Sequence, residues 1–148
     1  MGGYSGFNKG IVYKTVEVYD PVTDTWSAKS DMITGRFSLG ASVYNERIYV
    51  FGGVIVGQTG SGVEDSTVEE YDPISDTWTQ MPDMPTRRAS LCASIVNGKI
   101  YTSGGGPVSG TAIIATPTVE EYAPDDLSSS VVSPKGKSSK TWGDIRSR

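Results

Sequence analysis

The sequence predicts an all-β protein built from repeated units of four short antiparallel strands. Three observations predict this class. The 148 residues include 18 glycines and 8 tyrosines, a composition that suits many short strands joined by turns. A segment of about fifty residues occurs twice at a constant offset. Within each copy, short apolar or alternating runs are separated by turn-forming residues.

The repeat is clearest in the segment Thr15–Trp26, which returns 52 residues later as Thr67–Trp78. The same offset then holds without a gap. It pairs Asp31 with Asp83, Arg36 with Arg88, Asn45 with Asn97, and Gly52-Gly53 with Gly104-Gly105. A partial third copy covers Thr118–Pro124, and Gly2-Gly3 stands fifty residues before Gly52-Gly53. A period of this length is typical of repeat architectures.

The first strand of each unit is predicted over Phe37–Tyr44 and over Ser90–Val96. Both segments carry small apolar residues at alternate positions, as expected for an inner strand in a crowded centre. The pair Asn97-Gly98 then favours a tight hairpin because both residues readily adopt positive φ. Asn45-Glu46 is a weaker version of the same turn. The second strands are predicted at Arg47–Phe51 and Lys99–Ser103.

The glycine pair after each second strand removes side chains where neighbouring strands approach closely. A third strand is predicted over Thr67–Tyr71, where the residue pattern alternates. Asp72-Pro73 and Ser75-Asp76 then turn the chain through Asx and proline chemistry, and Thr77–Thr79 opens the outer strand. We expect Trp26 and Trp78 to cover the space between neighbouring units.

The ordered set of a glycine pair, a tyrosine followed by Asp-Pro, and a tryptophan seven residues after that tyrosine resembles the kelch repeat. The residues that carry it are Gly52, Gly53, Gly104, Gly105, Tyr19, Tyr71, Trp26 and Trp78. The resemblance covers residues 2 to about 124. It implies kelch-type β-propeller blades of four antiparallel strands arranged around a channel, usually about six or seven to a ring. About two and a half blades therefore predict an incomplete propeller.

The units divide the chain into four predicted segments. Residues 1–36 are the third and outer strands of a preceding blade, 37–88 a complete blade, 89–124 a partial blade, and 125–148 a polar, flexible tail. No tryptophan lies seven residues after Tyr122. Lys140-Thr141-Trp142 is an alternative position for the missing outer strand.

The chain starts with a match to the end of a second strand, which favours a fragment of a longer propeller. Self-assembly of partial propellers and an open array are the alternatives. In each case exposed strand edges favour self-association.

Composition excludes several classes of function. The net charge of −4 provides no basic field for nucleic acid. The absence of histidine removes Ser-His-Asp catalysis and imidazole ligation of metals. The single cysteine, Cys92, lies in an apolar run and is expected in the core. We expect no catalytic residue, no bound metal and no cofactor, and no run approaches the roughly 18 apolar residues of a membrane span.

Three arginines are the candidate partner-binding residues: Arg36, Arg87 and Arg88. Arg36 and Arg88 occupy the same place before an inner strand, and Arg87 lies beside the second. A guanidinium fork suits carboxylates, and the kelch resemblance implies that this end of the blades frames the face that binds partners. The alternative is that the repeated arginine ties neighbouring blades together through backbone carbonyls, which repetition favours slightly.

The adjacent acids Glu69-Glu70 and Glu120-Glu121 point to opposite faces of a strand and cannot share an acid–base site. We expect them to be solvated. The loops Val54–Asp65 and Pro107–Pro117 are long and differ between the copies, which suits recognition loops.

Together these features favour a non-catalytic protein-interaction or scaffolding surface, whose protein partners include acidic segments. The alternative is a fragment of a larger propeller enzyme or glycan-binding protein, with its active residues outside this chain.

Overall fold

A computed structural model describes residues 1–5, 11–56, 62–109, 112–115, 117–124 and 128–132. The described residues form strands and no helix. The strands are β1 (Gly3–Ser5), β2 (Ile11–Tyr13), β3 (Val16–Asp20), β4 (Thr25–Lys29), β5 (Gly40–Tyr44), β6 (Arg47–Phe51), β7 (Val54–Val56), β8 (Gly62–Glu64), β9 (Val68–Asp72), β10 (Thr77–Met81), β11 (Cys92–Val96), β12 (Lys99–Ser103), β13 (Val108–Ser109), β14 (Ala112–Ile113), β15 (Val119–Ala123) and β16 (Ser128–Val132).

Two four-stranded antiparallel sheets form the body of the chain. We call β5, β6, β9 and β10 the second blade, and β11, β12, β15 and β16 the third blade. The pair β3–β4 precedes them and is called the half-blade. The two blades share one register, since Ile48 faces Tyr71 in the second and Ile100 faces Tyr122 in the third. The predicted all-β class and the predicted strands of the repeat are therefore present.

The turns between first and second strands have the backbone that a tight hairpin requires. Asn97 and Gly98 have φ values of 51° and 76°, and Asn45 and Glu46 have 47° and 62°. The weaker Asn45-Glu46 turn thus adopts the same left-handed conformation, although glutamate is less suited to it than glycine.

The C-terminal boundary differs from the sequence prediction. Strand β16 pairs with β15 over its whole length, with Tyr122 opposite Ser129, so the third blade has its outer strand. The predicted partial blade of 89–124 does not include this strand, because the tryptophan that marks it in the other units is serine here. The alternative outer strand at 140–142 lies outside the described residues.

The segments between second and third strands also differ from the expected loops. Val54–Asp65 contains the antiparallel hairpin β7–β8, and Pro107–Pro117 contains β13–β14. A third hairpin, β1–β2, precedes the half-blade. Each of these hairpins is a small sheet of its own.

The core lies between neighbouring units, not within any one of them. Seven buried side chains fill the space between the second and third blades: Tyr49, Phe51, Val68, Met84, Leu91, Ile100 and Tyr122. A smaller cluster joins the half-blade to the second blade and includes Val16, Met32 and Val50. Trp78 packs against this smaller cluster, as predicted, whereas Trp26 is 67% exposed.

Cys92 is exposed, contrary to the expectation that it is a core residue. Its neighbour Ala93 packs against the cluster between the second and third blades. Since successive strand residues point to opposite faces, Cys92 faces away from that cluster. In the described residues, no helix is long and apolar enough to cross a membrane.

Candidate functional site

Arg36 lies in the segment 30–39, which joins the half-blade to the inner strand of the second blade. We call 30–39 and its counterpart 82–91 the junction segments. The Arg36 side chain is 0% exposed. Its Nη1 donates to the carbonyl oxygen of Gly52 at 2.8 Å and to the Asp65 carboxylate at 3.2 Å. Its Nη2 donates to the Thr67 hydroxyl at 2.8 Å and to Glu69.

Glu69 completes this junction from the other side. The backbone N–H groups of Ile33 and Thr34 donate to its two carboxylate oxygens at 2.9 and 3.1 Å. The second blade thus holds the preceding junction segment through one arginine and one glutamate. Both side chains are fully buried, so each is the charge partner that the other requires.

Arg88 repeats the arrangement between the second and third blades. It donates to the carbonyl oxygens of Gly104 at 3.1 Å and Thr118 at 3.2 Å. It also donates to the Thr118 hydroxyl at 2.8 Å and to Glu120 at 3.0 Å.

The three candidate arginines differ in the burial of their side chains. Arg36 and Arg88 are enclosed and hydrogen-bonded within the chain, so neither guanidinium can reach a partner at the surface. The prediction that these two residues contact a partner directly is therefore wrong. They form contacts between blades instead. Arg87 is exposed, although its neighbour Arg88 is buried. The structure does not bring the three arginines together on one face.

The expectation of solvated glutamates is also wrong for two of the four. Glu69 and Glu120 are buried partners of Arg36 and Arg88. Glu70 instead lies on the other face of its strand and pairs with Arg47 at 3.0 Å. The signal that could have found the buried pairs is that arginine and glutamate recur at matching places in successive units.

The glycine pair forms part of the same junction. The N–H of Gly53 donates to the carbonyl oxygen of Arg88 at 3.0 Å. Gly52 has φ of +54°, and a Cβ there would lie 2.5 Å from that same carbonyl oxygen. Only glycine fits both the backbone conformation and the approach of the next unit.

The tyrosine, aspartate and tryptophan of the repeat form a second contact between units. The Tyr71 hydroxyl donates to Asp76 at 2.6 Å, and the N–H of Ser30 donates to the same carboxylate at 2.9 Å. Trp78 Nε1 donates to the Ser30 carbonyl oxygen at 2.9 Å, and its ring lies 4.9 Å from that of Tyr71. Tyr19, Asp24 and Trp26 repeat the tyrosine–aspartate bond and the ring contact.

Burial, followed by the bond to Asp76, raises the pKa of Tyr71 from 10.0 to about 12. The hydrogen bond from Tyr71 is the main reason that the pKa of Asp76 is lowered. A raised folded-state pKa means that the stabilisation from Tyr71 is complete below pH 10. It is lost as the pH rises through about 12.

Two tyrosine substitutions test this contact. Tyr71→Phe is expected to lower the free energy of unfolding by about 1 kcal/mol, because it removes the bond to Asp76. Tyr122→Phe is expected to leave it unchanged or to raise it slightly, because the buried Tyr122 hydroxyl has no hydrogen-bond partner among the described residues. Urea unfolding of both variants measures the difference, and equal losses would contradict the role of Asp76.

The hairpins and the junction segments lie at the same ends of the strands, and we call this surface the hairpin end. Phe37 and Val54 exchange backbone hydrogen bonds of 3.1 and 2.8 Å, and the N–H of Arg36 donates to the Tyr13 carbonyl oxygen at 3.2 Å. Tyr4 stacks on Phe37 with ring centroids 5.0 Å apart.

The hairpin end exposes several apolar and aromatic side chains, as other parts of the described chain also do. Those on the hairpin end are Tyr4, Ile11, Tyr13, Ile33, Val56 and Ile114. Exposed Arg87 belongs to the same surface. Among the described residues, no group of three Cys, Asp or Glu side chains is placed to hold a metal ion. Arg87 gives this surface a guanidinium beside its exposed apolar groups, which suits binding.

Comparison with known proteins agrees with the repeat. The family model described as the kelch motif matches residues 1–33 and 35–85, more than half of the chain. The chain is 38% identical over 95 residues to a human Kelch repeat and BTB domain-containing protein 12, covering 59% of this chain and 15% of that protein. It is 35% identical to Kelch-like protein 40 of Xenopus laevis, covering 71% and 16% of the two chains. The chain thus spans under a fifth of either relative.

A solved structure gives the same fold. The chain superposes on the structure of YjhT with a TM-score of 0.73 and 16% identity, covering 91% of this chain and 51% of that one. This similarity shows the arrangement of the blades. The described strands form part of a propeller and do not close a ring.

Proposed function

The chain belongs to the kelch-repeat family, and on that premise we propose that it is a non-catalytic protein-interaction module that binds its partner with the hairpin end. The observation that carries this proposal is a difference between positions that recur in successive units and the hairpins, which do not recur. Arg36, Arg88, Glu69 and Glu120, which recur at matching places, are buried at the contacts between units. Exposed apolar side chains on or beside the hairpins, whose sequences differ between units, are Tyr4, Ile11, Tyr13, Val56 and Ile114.

The composition of the hairpin end supports this role. Exposed apolar groups that cluster on one surface are typical of binding sites. Tyrosine and arginine contribute strongly to the energy of protein interfaces, and the hairpin end exposes Tyr4, Tyr13 and Arg87. Short hairpins held by a rigid framework also present side chains in a fixed arrangement.

The partner that fits this surface is a peptide segment with apolar side chains and at least one carboxylate. Arg87 is exposed and supplies the fork of donors that a carboxylate accepts. Of the three candidate arginines, Arg87 is thus the one proposed to contact a partner. Self-association stays a prediction. It is supported by the edge of β3 that faces away from β4, which pairs with no described strand.

Peptide selection on the full chain tests the proposed surface. A random peptide library is selected against the chain, and fluorescence anisotropy then measures binding of the enriched peptides to variants. Arg87→Glu and Tyr13→Ser are each expected to weaken binding about tenfold or more, as loss of an interface hot spot does. The enriched peptides are expected to contain both acidic and apolar residues.

Ile74→Ser is the matched control. Ile74 is 87% exposed but lies in the β9–β10 turn, at the other ends of the strands. It is expected to change binding less than twofold, as a substitution outside the interface does. Peptides that respond to Ile74→Ser and not to Arg87→Glu or Tyr13→Ser would overturn the proposed surface.

A further inference from the structure

Two buried polar atoms on neighbouring strands of the third blade are not hydrogen-bonded. They are Thr102 Oγ1 and Glu120 Oε2, and neither has a hydrogen-bond partner among the described residues. Thr102 on β12 is directly opposite Glu120 on β15, so both side chains lie on the same face of the sheet. Thr102 is 1% exposed and Glu120 is 2% exposed.

In the second blade, the corresponding carboxylate oxygen has a hydrogen-bond partner. There the corresponding glutamate is Glu69, and its Oε2 accepts a hydrogen bond from the backbone N–H of Ile33. The residue opposite Glu69 is the buried Val50, which has no polar side-chain atom. Among the described residues, the hydrogen bond to this carboxylate oxygen thus comes from the junction segment.

The third blade differs at both of these positions. The residue that corresponds to Ile33 is Pro85, which has no backbone N–H to donate. The residue that corresponds to Val50 is Thr102, which adds a hydroxyl beside the carboxylate. The third blade therefore lacks the backbone donor that the junction segment supplies in the second blade. It has an additional hydroxyl group on the neighbouring strand instead.

The charge of Glu120 is already matched on its other oxygen. Glu120 Oε1 accepts from Arg88 Nη2 at 3.0 Å and from the Thr86 hydroxyl. A second cation is therefore not required. A neutral group that can both donate to Glu120 Oε2 and bond to the Thr102 hydroxyl suits the site.

We propose that Thr102 and Glu120 bind one buried water molecule at the contact between the second and third blades. The water donates to Glu120 Oε2 and exchanges a hydrogen bond with Thr102 Oγ1, and so replaces the N–H that Pro85 lacks. Buried waters typically bond to buried polar groups that are otherwise unsatisfied.

A double-mutant cycle tests this proposal by placing the residues of the second blade at positions 102 and 85, first singly and then together. Thr102→Val is isosteric, and in the natural chain it is expected to raise the equilibrium constant of unfolding about tenfold, because Glu120 Oε2 loses its bridge. In a Pro85→Ile background the same substitution is expected to change that constant less than about threefold, because the restored N–H serves Glu120 directly.

Urea unfolding of the four full-length proteins measures the cycle. A neutral or stabilising effect of Thr102→Val, or an equal effect in both backgrounds, would overturn the proposal. A high-resolution crystal structure gives an independent readout. We expect an ordered water within about 3.2 Å of both atoms, and a direct bond between Thr102 and Glu120 would contradict it.

Discussion

Arg36→Met is expected to lower the free energy of unfolding by about 3–5 kcal/mol, the loss typical when one partner of a buried ion pair is removed. Arg36 is the shared partner of Asp65 and Glu69. Without the guanidinium, both carboxylates remain buried next to each other and next to the carbonyl oxygens of Gly52 and Thr67, which Arg36 also contacts. A loss of this size is a large part of the stability of an ordinary domain.

Arg87→Met is the matched control for this substitution. It makes the same chemical change in a junction segment, but at an exposed position, so it is expected to change the free energy of unfolding by less than about 0.5 kcal/mol. Arg36→Lys adds a graded case, because lysine keeps the charge and loses the planar fork. Its loss should fall between those of the two methionine variants.

Urea unfolding followed by tryptophan fluorescence measures these changes, since Trp78 packs beside the junction of Arg36. An Arg36→Met protein that was as stable as the natural chain would show that the guanidinium does not hold the units together. The same series made at Arg88 is expected to give a smaller loss than at Arg36. Among the described residues, Arg88 pairs with one carboxylate, Glu120, whereas Arg36 pairs with two.

The sequence was sufficient for the fold because the signals of a blade are local. Strand alternation, the Asn97-Gly98 turn and the Asp72-Pro73 turn each lie within a few residues, and the constant offset shows that they belong to one repeated unit. The family comparison and the superposition confirm this interpretation. The outer strand β16 was missed because its marker tryptophan is replaced, while its pairing with β15 depends on the backbone alone.

The candidate site was less accessible to sequence reasoning because its contacts are distant along the chain. Arg36 and Glu69 are separated by 33 residues, and no local pattern shows that they meet. A charged residue in a strand is ordinarily solvated, which is why Glu69 was expected at the surface. Repetition of an arginine indicated a structural role, but burial was needed to separate Arg36 and Arg88 from the exposed Arg87.

The two glycine pairs differ in the surroundings of their first glycine, Gly52 or Gly104. At Gly52 the junction segment 82–91 lies over the glycine, with the Arg88 carbonyl oxygen and Met84 Cε closest to the position of a Cβ. Gly104 occupies the same place in the third blade and has the same left-handed backbone, with φ of +69°. No described atom lies within 4 Å of the position of its Cβ.

This difference makes Gly52→Ala and Gly104→Ala a direct measurement of packing between blades. Both alanines must adopt a left-handed conformation, which costs about 1–2 kcal/mol. Gly52→Ala must also move the backbone of the next junction segment, because its Cβ would lie 2.5 Å from the Arg88 carbonyl oxygen and 2.8 Å from Met84 Cε. Overpacking of this kind adds about 1–3 kcal/mol, so Gly52→Ala is expected to lose more stability by that amount.

Thermal and urea unfolding of the two variants give the comparison, and their difference removes the conformational cost that they share. Equal losses would mean that the junction segment does not press on Gly52 in solution, and the glycine would then serve only its own backbone. A larger loss of stability for Gly52→Ala would show that the absence of a side chain at this position is needed for the close approach of the next junction segment. At Gly104, where no described atom approaches the position of a Cβ, only the conformational cost is expected.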